Sequence, residues 1–433
     1  MKFVHYDAEF CRSRRGSANF RKAGQDFDHP ETRAMHPLTV LKSGHWPSLL
    51  GAWLHLTISF MVWLVIGAMS ISIAGDLELS NSQISLLVAL PLLGGAVLRM
   101  VAGWSADRIG ARSTALVIML TECAVLLWGW LGVTAYAEAL AFALCLGIAG
   151  ASFAVSLPLA SRAYSPAAQG LVLGLAASGN VGTVFILFLA PRWAEQLGWH
   201  AVCLVMAGVV AMSLLLFTVV VPGDPDRAVH QDARWWHSVA SMIRRRASYW
   251  LCFLYATTFG GFVGLCSLLP LVLHDVYRFE AITAGVLAAV CGLGGSLLRP
   301  VGGYVADRMG GLRTLHYVLP IAAGAVVAII SPSLSLAVTM MILTTGALGF
   351  GNGVVFQLVA EWFPKDIGLA SGVVGAAGGL GGFVLPVAAG LLKDTAGSYE
   401  YGLWLFAGFV MCAWGTVIAA LRKSHEAATG SSS

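Results

Sequence analysis

The sequence predicts an all-α membrane protein with twelve transmembrane helices in two pseudo-symmetric six-helix bundles. Composition, the distribution of Lys and Arg, and an internal repeat predict it. Of 433 residues, 58% are hydrophobic and only 11% are charged, against about 25% charged in a soluble domain. With a mean hydropathy of +0.78, the polar residues are too few to coat a globule in water. Lipid is therefore the solvent for most of the chain. Backbone in lipid must satisfy its own hydrogen bonds, which leaves helices or a closed barrel. The apolar runs are continuous and do not alternate at period two, so helices follow.

A helix needs about 20 apolar residues to cross the hydrocarbon. The spans are expected at 49–73, 83–106, 113–134, 138–160, 170–190, 200–221, 249–273, 282–306, 314–331, 335–360, 369–392 and 401–421. The longest connection, 222–248, carries Arg227, Arg234 and the run Arg244, Arg245, Arg246. It separates an N-terminal bundle (49–221) from a C-terminal bundle (249–421). The first tail, 1–48, is polar and has no apolar core of a signal peptide; it is expected to be a loosely ordered cytoplasmic extension. A second short tail, 422–433, ends the chain.

The Lys and Arg residues set the orientation. If the N-terminus is cytoplasmic, 21 of the 26 fall on that side and three (Arg192, Arg278, Lys393) on the other. The remaining two, Arg99 and Arg299, lie inside spans. The excess places both termini in the cytoplasm.

The third observation is the repeat. Gly94–Gly110 reads GGAVLRMVAGWSADRIG and Gly294–Gly310 reads GGSLLRPVGGYVADRMG, with ten of seventeen positions identical. Two six-helix halves related in this way bind substrate between them near the bilayer midplane. The end of each copy combines Gly103, Asp107, Arg108 and Gly110 with Arg112, and Gly303, Asp307, Arg308 and Gly310 with Arg313. It resembles the loop signature of the major facilitator superfamily. Physically it is a tight turn, with Gly free to adopt positive φ and charged groups able to cap neighbouring helix ends. The resemblance implies a conformational latch on the cytoplasmic side. A topological cluster of positive charge would account for the arginines but not for the repeated glycines and aspartates.

Arg99 and Arg299 each stand eight residues before the loop aspartate, roughly 12 Å deeper at 1.5 Å per residue. A buried arginine costs a few kcal/mol and faces a cavity or a partner. Only Glu122 is a carboxylate at comparable depth. A monovalent anion ~4 Å from each guanidinium, with the two ~8 Å apart, gains ~8 kcal/mol of attraction against ~2 kcal/mol of repulsion at a dielectric of ~20. The planar guanidinium fork suits a planar oxyanion such as nitrate. The competing reading is that each arginine is structural and bonds backbone carbonyls.

Glycine is abundant, with 50 residues clustered in GLVLGLAASGNVG (170–182), GALGFGNG (346–353) and GVVGAAGGLGG (372–382). Most of this is explained by close helix packing. Asn180 and Asn352 are not, because uncharged polar groups in hydrocarbon need partners. Tyr255 and Phe259 lie one turn apart, and Phe60 and Phe153 sit in spans one and four; aromatics at such spacing are usually packing. Seven of the eight cysteines fall in apolar segments without metal-ligand spacing and read as fillers.

Four stretches carry a more specific resemblance: LLVALPLLGGAVLRMVAGWSADRIGAR (86–112), GLAASGNVGTV (174–184), LYATTFGGFVG (254–264) and GFGNGVVFQLVAEWFPKDIGLASGVVGAAGGLGGFVLP (349–386). Over residues 50–421 the chain resembles the nitrate/nitrite porters of the major facilitator superfamily. The resemblance implies the major facilitator fold in a bacterial inner membrane. It also implies an anion clamped by Arg99 and Arg299, with Asn180, Asn352, Tyr255, Phe259, Phe60 and Phe153 completing the site. Two segments depart from the family pattern. Gly150-Ala151-Ser152-Phe153 replaces Gly-Gly-Asn-Phe, and Ala360-Glu361-Trp362 stands where Pro-Gln-Arg is common.

The function expected is secondary transport of nitrate or nitrite by alternating access, as nitrate/nitrite exchange. The alternatives are proton-coupled nitrate uptake, with Glu122 as the candidate relay, and transport of another small anion. A multidrug carrier would not need two facing arginines, and a sensor would need an effector domain that the short tail and loop do not supply. No nucleophile–base pair, metal cluster or phosphate loop points to an enzyme, and basic residues without interleaved aromatics give no sign of nucleic acid. No cofactor or metal is expected, and the state expected is a monomer in the bilayer with nitrate, nitrite and protons as its small partners.

Overall fold

The expected spans are all helical. The computed structural model describes residues 44–164, 169–223, 235–363 and 367–429, with no strand among them. From Trp46 onward these residues form one compact unit. The expectation for the tail thus lies outside the described residues up to position 43, as do Arg227 and Arg234 of the central connection. That connection contributes a short helix, Trp235–Ile243.

Among the described residues, eleven helical segments are long and apolar enough to cross a membrane. The remaining span, the ninth, is the 17-residue helix Gly311–Val327. At 1.5 Å per residue it is about 26 Å long, a little short of the ~30 Å hydrocarbon. Turn bonds from Ala328 and Ile329 back to Ala325 and Val326 carry the chain onward.

The two copies of the repeat fold alike. Span two is Asn81–Ile109 and span eight is Ala281–Met309, 29 residues each. Each ends one residue before a glycine of positive φ, 92° at Gly110 and 86° at Gly310, and the next helix starts at once. A one-residue corner of this hand strains any residue with a β-carbon, which is the physical reason for the repeated glycine. Arg112 then binds the last carbonyls of span six, Nε to Val221 O at 2.9 Å and Nη2 to Thr218 O at 3.1 Å, a favourable place for a cation. Arg108 and Arg308 lie over Trp104 (4.8 Å) and Tyr304 (4.1 Å) one turn back on their own helices. Of Asp107 only the backbone is described.

Four spans depart from regular α geometry. Span one is interrupted at Met69 between Trp46–Ala68 and Ser70–Asp76, with the hydrogen-bond ladder continuing through it. Span four holds a 3₁₀ segment, Gly147–Ser152, before Phe153–Arg162, and span five holds another, Ser178–Val181, before Gly182–Leu197. Span seven holds a π turn, Ala256–Gly260. Tightened or widened turns release carbonyls and re-aim side chains, and they gather at functional sites. Here they fall at Phe153, Asn180, Tyr255 and Phe259.

Between the halves, span two packs along span eleven, and span five along span eight. The approach is close: a Cβ on Gly285 of span eight would lie 2.5 Å from the Leu187 carbonyl oxygen of span five.

Candidate anion site

Spans two and eight bring their arginines to one place. Arg99 is 1% exposed and Arg299 7% exposed. Both guanidinium carbons lie 5.4 Å from the centre of the Phe153 ring. They are therefore at most about 11 Å apart, the sum of the two distances. Phe153 reaches this position because the 3₁₀ segment ends just before it.

Arg99 is held by carbonyls. Its Nε and Nη2 donate to Gly150 O at 3.1 and 2.9 Å, and its Nη1 donates to Gly375 O of span eleven. Gly150 lies in the 3₁₀ segment of span four, where the altered ladder presents its carbonyl to the side chain. The structural reading of the arginines thus describes part of Arg99's bonding. Arg299 differs: its Nη1 is buried and has no hydrogen-bond partner.

Aromatic rings enclose both cations. Arg99 lies 5.5 Å from Trp63 and 5.8 Å from Phe259, and Arg299 lies 5.4 Å from Phe356. A ring face attracts a cation by roughly 0.5–2 kcal/mol without cancelling its charge. Among the described residues the two guanidiniums thus meet carbonyls, aromatic rings and the side chain of Tyr255, which faces Arg299. A net positive field remains at the junction of the halves.

A cavity of about 1230 Å³ opens from this pair toward the loop signatures; Arg99, Arg299 and Phe153 line it, with Gly103, Gly303, Asp307 and Glu361. The opposite end is closed by bonds between the halves. Asp394 of span eleven accepts from Asn81 Nδ2 and from the Ser82 backbone N–H, both at 2.8 Å. On the C-terminal side the Tyr399 hydroxyl donates to Asp275 Oδ2 at 2.8 Å.

The other residues expected at the site are not among those lining this cavity, although Phe259 and Tyr255 face the arginines from beside it. Tyr255 stacks on Phe259 with centroids 4.9 Å apart, and Phe259 stacks on Trp63 at 6.3 Å. Phe60 meets Trp63 edge-on at 5.3 Å. Asn180 and Asn352 are 1% and 0% exposed, and neither amide has a hydrogen-bond partner. They are not among the residues lining the cavity. Glu122 is fully buried in span three beside Ser59, and it too lies off the lining.

Sequence reasoning missed Trp63, Phe356 and the carbonyls of Gly150 and Gly375. Phe356 lies within the resembling stretch that begins at Gly349, but an aromatic in an apolar helix gives no spacing signal. A carbonyl gives none at all.

Two apposed half-bundles with a charged pocket at their junction, open at one end and shut at the other, define a secondary carrier. The sequence profile of the Major Facilitator Superfamily matches residues 51–360, and the chain belongs to that family. It is 34% identical over 393 residues, 88% of this chain and 98% of the other, to a Mycobacterium tuberculosis protein named "Probable nitrate/nitrite transporter NarK2". It is 31% identical over 371 residues (83% and 92%) to the "Nitrite extrusion protein" of Bacillus subtilis. It is 29% identical over 373 residues (77% and 82%) to the "Probable nitrate/nitrite antiporter NarK1" of Thermus thermophilus. These relatives are transporters, not enzymes. Among solved structures, the xylose transporter XylE from E. coli superposes with a TM-score of 0.67 at 17% identity, covering 85% of this chain and 96% of that one. A bacterial homologue of the human lysosomal transporter Spinster gives 0.65 at 17% identity, covering 86% and 96%. At that identity the likeness concerns the fold.

Proposed function

We propose that this protein carries nitrate and nitrite across the bacterial inner membrane by alternating access, clamping the anion between Arg99 and Arg299. The observation that carries the reading is a pair of buried guanidiniums, one from each half, facing one cavity without a carboxylate partner among the described residues. Relatives named for nitrate and nitrite support the choice of anion. With both termini in the cytoplasm, as the Lys and Arg distribution requires, the cavity opens inward. It acts as a monomer, each chain holding a complete site.

Exchange is the favoured mode. A site with two positive charges and no anion is poorly matched to a closing, drying cavity, whereas a bound anion relieves the mismatch. Reorientation is then fast when loaded and slow when empty, which is the condition for exchange. One relative is named as an antiporter. Net uptake of nitrate alone would also oppose a negative interior by about 2.3 kcal/mol per charge per 100 mV. Proton-coupled uptake is the second reading, favoured by one observation: Glu122 holds a carboxyl fully buried in span three.

Counterflow in vesicles decides between them. Vesicles loaded with nitrite should take up labelled nitrate, and empty vesicles should not. Strong uptake into empty vesicles, driven by an inward proton gradient and lost in Glu122→Gln, would replace exchange with symport.

A further inference from the structure

We infer that Ser296 is a further donor to the anion and sets the preference for nitrate over nitrite; the inference rests on the two-arginine clamp. Ser296 lies three residues before Arg299 on span eight, so the two side chains share a helix face, about 5–6 Å apart at their β-carbons. It is 6% exposed, it lines the cavity, and its hydroxyl has no hydrogen-bond partner. A hydroxyl within a helix commonly bonds its own backbone one turn earlier. Thr257, Thr258 and Thr345 of this protein do so, to Phe253 O, Leu254 O and Met341 O, each at 2.9 Å. Other buried serines also lack partners, among them Ser85, Ser152 and Ser267. Ser296 differs from them in lining the same cavity as the arginines, where Arg299 Nη1 is likewise unpartnered.

The repeat shows the specialisation. The corresponding position in the first copy is Ala96. That methyl group is taken up by span eleven: a Cβ on Gly379 would fall 2.9 Å from the Ala96 Cβ. Position 96 is thus occupied by packing between the halves, whereas position 296 lines the cavity. One half supplies a guanidinium to the cavity, and the other supplies a guanidinium with a hydroxyl beside it.

The chemistry follows from the shapes of the anions. Nitrate is planar and presents three equivalent oxygens; nitrite is bent and presents two. A guanidinium from each side can engage two oxygens of either ion. The third oxygen of nitrate needs another donor in a site that excludes water, and a neutral hydroxyl supplies it without adding charge. Nitrite has no oxygen to place there.

The test is equilibrium binding of nitrate and of nitrite by calorimetry, with the purified full-length protein. Ser296→Ala keeps a small, helix-favouring side chain. Loss of one hydrogen bond to a charged group should weaken nitrate on the order of tenfold. Nitrite should change by less than about threefold, and Ser296→Thr should restore nitrate binding. Equal weakening of both anions, or no change in either, would overturn the inference. Arg299→Lys measured alongside tests the clamp separately. If that variant loses both anions while Ser296→Ala changes nothing, only the role of Ser296 fails; if it binds both normally, the clamp fails.

Discussion

Placing a methyl group on Gly353 should inactivate the carrier from a position that lines the cavity but offers no side chain to the anion. Gly353 of span ten lies against the backbone of Arg299 on span eight. A Cβ there would stand 1.9 Å from the Arg299 carbonyl oxygen and 2.9 Å from the Gly303 nitrogen. A carbon and a carbonyl oxygen need about 3.3 Å, so the two helices must separate by about 1.4 Å. Nothing nearby can absorb this, because both atoms met belong to backbone. The same interface is close at Gly302, where a Cβ would stand 2.0 Å from the Phe350 oxygen, and at Gly349, where a Cβ would stand 2.1 Å from the Gly295 oxygen. The separation is therefore transmitted along span eight to Arg299. Overpacking of this kind costs about 1–3 kcal/mol of stability, and a charged site loses function when its groups move by more than about 0.5 Å. Gly353→Ala should lower the melting temperature and reduce nitrate counterflow at least about tenfold, with insertion preserved. Gly408→Ala, where a Cβ meets nothing within 4 Å, should match wild type. Wild-type counterflow by a well-inserted Gly353→Ala protein would show that close packing of spans eight and ten does not position Arg299.

Three further outcomes are expected. Arg99→Lys and Arg299→Lys should each abolish transport without preventing insertion, because lysine keeps the charge and loses the bidentate fork; transport at wild-type rate in either would remove the clamp. Asn180→Ala and Asn352→Ala should weaken anion binding, by about 1.5–3 kcal/mol if each donates to the anion, and should hardly change thermal stability, since neither amide has a protein partner to leave behind; unchanged affinity in both would return them to packing. Asp394→Ala removes the bonds from Asn81, Ser82 and Ser80 that join span eleven to the start of span two. At an exposed site the loss is about 1–2 kcal/mol, which favours the outward-open state about five- to thirtyfold; spin-label distances across the closed end should lengthen, and an unaltered distance distribution would assign the closure to packing alone.

The sequence by itself determined the membrane, the helices and the repeat. A deficit of charge leaves no alternative to lipid, and lipid leaves no alternative to satisfied backbone. Arg99 and Arg299 were legible because charge in hydrocarbon is costly and a repeat makes two such charges equivalent. Gly110 and Gly310 were legible because only glycine takes that corner without strain. Tertiary structure decided what surrounds the cations. Trp63 and Phe356 lie against the guanidiniums, and Gly150 and Gly375 offer carbonyls, through the docking of spans one, four, ten and eleven. None of these leaves a local mark, since an aromatic or a glycine in an apolar helix reads as packing wherever it occurs. The 3₁₀ and π turns that aim Phe153 and reposition Tyr255 and Phe259 were likewise invisible. They arise where glycines let one backbone press on another, as at Gly147 against Gly94 with 2.5 Å left for a Cβ, and that pressure exists only once both spans are in place.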